Sequence, residues 1–165
     1  MGLNEDLERV ALQERELVLP RLDAQVAWEL GTRLRTMAVE RELTLVIDVR
    51  RFGQPLFYAA LDGTTPDNVE WVRRKSNVVA RFHRSSYGVG ITLKLKNTTL
   101  LERQGLPLAD YATDGGSFPL NVAGAGVVGS VTVSGLPQRA DHELVVEALC
   151  AVLGREYAEL KLAAE

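Results

Sequence analysis

The chain of 165 residues contains one cysteine and two histidines. Cys150 alone makes no internal disulfide, which excludes a secreted disulfide-built scaffold. So few soft ligands, with no C-x-x-C or H-E-x-x-H spacing, exclude a structural zinc site, and no metal site is expected. No Walker sequence is present. Long apolar runs are also missing: Val122 to Val128 is among the longest, far short of the ~20 residues a membrane span needs. The acidic start, Met1-Gly2-Leu3-Asn4-Glu5-Asp6, lacks the basic and apolar regions of a signal peptide, so a cytoplasmic protein is expected. A pI near 5.5 argues against nucleic acid as a partner.

What is present is an ordinary globular composition, 46% hydrophobic and 25% charged, at a length that suits one domain. No linker or repeat divides residues 1–165, and residues 1–15 form an N-terminal helical extension. Asp23 caps a helix reaching about Arg41, with Val26, Leu30, Leu34, Met37 and Ala38 as its buried stripe. Strands follow at Leu43–Arg50 and Pro55–Leu61. Thr65 and Pro66 open a helix to about Arg84, Ser85-Ser86 cap another to about Lys96, and a helical turn covers Thr99–Gln104. Six of the 14 glycines fall between Gly115 and Gly135, around strands Ser117–Val122 and Val127–Ser134 joined by a turn at Ala123–Gly126. A last helix is expected over Arg139–Leu162. Tightly joined strand pairs between helices predict an α/β (α+β) fold with a mostly antiparallel sheet.

Gly124-Ala125-Gly126-Val127-Val128-Gly129 matches the dinucleotide fingerprint G-x-G-x-x-G. The motif needs a helix after it to receive the pyrophosphate, and Ser130-Val131-Thr132-Val133 form strand instead, so a nucleotide site is rejected. Charge is a better guide. Trp71 to Leu101 holds seven basic residues and no acidic one, leaving 12 basic against 22 acidic elsewhere. Such a segment sets up a local positive potential and suggests an anion site.

On the helix from Pro66, the residues Arg73, Arg74, Asn77, Arg81 and Arg84 share a polar arc with Glu70. Val69, Trp71, Val72, Val78, Val79, Ala80 and Phe82 fill a wide apolar arc that also contains Lys75 and His83. An arc this wide implies burial on two sides, with Lys75 paired inside. Asp141 and His142 likewise fall on the inward arc of the last helix, and the helix start disfavours a protonated His142.

Arg74-Lys75-Ser76-Asn77-Val78-Val79-Ala80-Arg81-Phe82-His83-Arg84-Ser85-Ser86, then Gly115-Gly116-Ser117-Phe118-Pro119, then Gly129 to Pro137 with Asp141-His142 beyond, resemble hallmarks of the haem-degrading-domain superfamily, the GlcG/HbpS-like proteins. The likeness runs from about residue 5 to 155. It implies a profilin-like α/β/α sandwich with helices on both faces of the sheet, assembled as a homo-oligomer. The function expected is binding of a small anionic ligand, with haem or another tetrapyrrole among the candidates. The expected ligand-binding residues are Arg74, Lys75, Asn77, Arg81, Gly115, Gly116, Ser117, Asp141 and His142, with His142 or His83 ligating iron if haem binds. Two alternatives stand beside it: a scaffold for protein–protein interaction, and an enzyme using Lys75 or an Asp141-oriented His142 as base.

Overall fold

The computed structural model describes residues 2–165. Its sheet has five strands in the order β1-β4-β5-β2-β3, where β1 is Val18–Leu19, β2 Val46–Arg51, β3 Gln54–Ala60, β4 Ser117–Val122 and β5 Gly126–Ser134. All pairings are antiparallel except the short β1–β4 ladder. Helices α2 (Ala24–Glu40) and α6 (Gln138–Leu153) cover one face, and α3 (Pro66–Phe82) covers the other. This is the expected α/β/α sandwich. α1 (Leu3–Glu16) and α4 (Ser86–Leu95) pack together, and two short helices, α5 (Leu100–Gln104) and α7 (Tyr157–Leu160), complete the chain.

Local chemistry sets the helix starts. The Asp23 carboxylate accepts from the Val26 N–H at 2.9 Å, Thr65 and Asn68 form a reciprocal capping box before Pro66, and Ser85 accepts from the Gly88 N–H. The α2 stripe packs with Ile47, Val49, Val131 and Val133 of the sheet and with Leu144, Val145, Ala148 and Leu149 of α6 to form the main core. Gly31 has no Cβ because the Phe57 ring occupies that place. Each such fully buried aliphatic side chain contributes about 1.5–3 kcal/mol of transfer free energy.

Because β5 alternates, the side of the sheet under α3 carries Ser130, Thr132 and Ser134, all buried. That face is polar, and α3 answers it with a lysine. Within α3 only Val72, Lys75, Ser76, Val78 and Val79 are buried, while Val69 is 41% exposed and Ala80 is also exposed. The apolar arc is therefore narrower than its sequence suggests. α3 rests on the sheet with α4 and the loop before β4 at its flanks, leaving Val69 and Ala80 exposed. The last helix is shorter than expected as well. Gly154 takes a left-handed conformation (φ 67°) and ends α6, and α7 starts a separate turn.

Candidate functional site

Lys75, 2% exposed, is anchored from three sides. Its Nζ donates to the carbonyls of Val133 (2.7 Å) and Gly115 (3.1 Å) and to Asp141 Oδ2 (3.2 Å). An ammonium has three donors, so none is left over. Asp141, in the first turn of α6, also accepts from the backbone N–H groups of Leu136 (3.0 Å) and Gly135 (3.4 Å). Burial pushes the Lys75 ammonium down and the Asp141 carboxyl up from their ordinary pKa values, and each opposes the shift of the other. Gly116 makes the approach feasible. At φ 136° it sits where a Cβ would strike both Lys75 Nζ and the Val133 carbonyl.

Above this pair, a cleft of about 240 Å³ opens between the N-terminal halves of α3 and α6 at the end of β5. Ser134, 5% exposed, lines it, and its hydroxyl makes no hydrogen bond with any described residue. Trp71 forms part of the wall, with the Arg74 guanidinium stacked 4.6 Å from its ring centre. Asp67 and Asp114 stand exposed at the rim, with no ion pair among the described residues. Asn68 and Gln138 spend their side-chain oxygens on the N–H groups of Thr65 and Gly115, which leaves their amide nitrogens for the cleft. Three carboxylates thus line it against one ammonium.

Of the expected ligand-binding residues, Lys75, Gly115 and Asp141 line the cleft, with Gly116 packed against Lys75 Nζ below it. The others do not join them. Arg74 Nε donates to the Leu108 carbonyl (2.8 Å) and Asn77 Nδ2 to the Asp110 carbonyl (2.8 Å), so both hold the loop before β4. Arg81 is exposed near the far end of α3, well along the helix from Lys75. The Gly115 N–H is used by Gln138 and the Ser117 N–H by Ser86 Oγ, so neither is free for a ligand. The expected set of donors is therefore not gathered in this cleft. The basic residues secure a loop or face water, and the lysine is fully engaged.

His142 is 0% exposed and lies outside the cleft. Its Nε2 meets Gln13 Oε1 of α1 at 2.7 Å, and burial drives its pKa to about 3. Asp141 does not orient it, because the partners of that carboxylate are Lys75, Gly135 and Leu136. The expected Asp–His general base is not formed. His83 takes a left-handed conformation as the C-cap of α3, is exposed, and stacks on Phe52 at 5.7 Å.

Sequence reasoning passes over Asp67, Asn68, Asp114, Ser134 and Gln138 as site residues. Ser134 reads as strand, Asp67 falls in the expected helix from Pro66, and no local pattern marks either as facing a cavity.

Haem does not fit this cleft. Haem iron takes a histidine, cysteine, methionine or tyrosine ligand, and the cleft is lined by none of these. The rim carboxylates would also repel propionates. Helix length and hydropathy give no membrane-crossing helix among the described residues.

Residues 22–150 match the family model described as haem degrading protein HbpS-like. A UPF0303 protein of Acidobacterium capsulatum is 64% identical over 162 residues, covering 98% of both chains. Among solved structures, the Ybr137w protein superposes with a TM-score of 0.85 at 26% identity, over 93% of this chain and 92% of that one. A PduOC–haem complex superposes at 0.68 with 14% identity, over 79% and 94%, a likeness of fold. By the extent of the family match and the identity to its relatives, the chain belongs to the HbpS-like family.

Proposed function

We propose that the chain is a binding domain for a small polar molecule, seated between α3 and α6 over the Lys75–Asp141 pair. One observation carries this reading: Ser134, 5% exposed and without a side-chain hydrogen bond to any described residue, lines a cleft whose floor is already satisfied. The hydroxyl is reached from the cleft, so a ligand seated there would take the place of water as its partner. The cleft lies below the ~300–1,000 Å³ typical of drug-sized sites, which favours a compact metabolite. The test is a thermal-shift screen of small polar metabolites against the protein and its Ser134→Tyr variant. Compounds that raise the Tm of the former alone support the site. No hit, or equal shifts in both proteins, overturns it.

Haem is a second reading, supported by the family description and by the exposed ring of His83. His83 stands exposed away from the α3–α6 cleft, so this reading calls for a surface completed by another copy. Titration with hemin should then shift the Soret band, and His83→Ala should abolish the shift while Ser134→Tyr leaves it intact. A shift that survives His83→Ala removes this reading.

We also propose that the chain assembles with copies of itself. Edge strand β3, Gln-Pro-Leu-Phe-Tyr-Ala-Ala, bears no charge, and Trp28, packed edge-on to Phe57, is 60% exposed. Natural edge strands are usually protected by charge, proline or cover; Pro55 guards only the start of β3, and the uncharged stretch after it is a template for pairing.

A further inference from the structure

We infer that the α3–α6 cleft takes a compact molecule bearing an ammonium group. This rests on the binding reading above and names its ligand class. The floor offers an anion nothing, because each Lys75 donor already has an acceptor. The free charges are the carboxylates of Asp67 and Asp114, on opposite flanks: Asp67 in the first turn of α3 and Asp114 just before β4. Neither is neutralised by an ion pair among the described residues. Trp71 supplies an aromatic wall that already carries the Arg74 guanidinium on one face, 4.6 Å from its centre, so the three carboxylates rather than the ring must hold an ammonium. Ser134, a residue 5% exposed whose hydroxyl has no hydrogen-bond partner among the described residues, can accept from an ammonium or donate to an adjoining carbonyl or carboxylate. The amide nitrogens of Asn68 and Gln138 add donors for that second group. An amine with a hydrogen-bond acceptor a few atoms away meets each of these groups with its complement.

The test uses three four-carbon probes differing only in end groups: putrescine, 4-aminobutyrate and succinate, titrated calorimetrically into the full chain at pH 7. Putrescine and 4-aminobutyrate are expected to bind, and succinate not. The Asp67→Asn/Asp114→Asn variant should bind putrescine about tenfold more weakly or worse with unchanged Tm, since both side chains are exposed. Succinate binding as tightly as the amines, putrescine binding undiminished in that variant, or no amine binding at about 10 mM each overturns the inference. Ser134→Tyr separates the two levels. If succinate binds and the tyrosine abolishes it, the cleft stands and the cationic class falls. If putrescine binds and the tyrosine changes nothing, the cleft itself falls. Should the tyrosine variant not fold, the double Asp variant decides the class alone.

Discussion

Gln13 and His142, 129 residues apart in sequence, meet at 2.7 Å in the interior. The Gln13 amide nitrogen donates to Glu143 Oε2 and to the Leu160 carbonyl, so its oxygen must face the imidazole. That fixes the proton on Nε2 and leaves a neutral ring whose Nδ1 is buried without a partner. The bond ties α1 to α6, and it makes His142 a structural group.

Acid stability should register this. The folded pKa of His142 lies near 3 against an ordinary 6.5, so between those values the unfolded chain binds a proton that the folded chain refuses. The contribution is complete above pH 6.5 and is lost as pH falls, at up to about 1.4 kcal/mol per pH unit. Urea unfolding from pH 7 to pH 4 should show a steeper loss for the protein than for His142→Gln. Parallel profiles would refute the assignment.

The Lys75–Asp141 pair predicts a non-additive mutant cycle. Lys75→Met strands a buried carboxylate and should cost about 3–5 kcal/mol. Adding Asp141→Leu should recover part of that loss, although the Gly135 and Leu136 N–H groups then lack an acceptor. Chemical denaturation of the four species measures the coupling, and strict additivity would show that the two charges do not interact.

Assembly is checked by light scattering coupled to size exclusion. The expected mass is a multiple of 18.1 kDa, and Tyr58→Lys, which charges the half-exposed edge strand, should shift it toward one chain. A monomer at micromolar concentration contradicts self-assembly. An oligomer indifferent to the substitution moves the interface elsewhere.

Much of the fold is legible locally. Asp23, Thr65 and Ser85 announce helix starts because capping involves only residues within a turn of one another. The β2–β3 and β4–β5 hairpins are legible for the same reason. The break at Gly154 is not, because apolar residues continue through Leu160, which still packs into the main core, and Leu162, which packs with Val10, Tyr87 and Ile91. Val69 and Ala80 mislead in a similar way, since periodicity says which residues share a face but not how much of it a neighbour covers.

Sequence by itself determined the order of the main elements and the burial of Lys75, because an ammonium inside an apolar helical arc has little choice of surroundings. Tertiary structure alone decided what that lysine meets. Asp141 lies 66 residues away, and Ser134, Asp67 and Asp114 reach the cleft from three separate elements. It also set Arg73 and Arg74 of the basic window against the loop before β4, because they find carbonyls of Ala109 and Leu108 that chain folding, not sequence proximity, brings within hydrogen-bond distance.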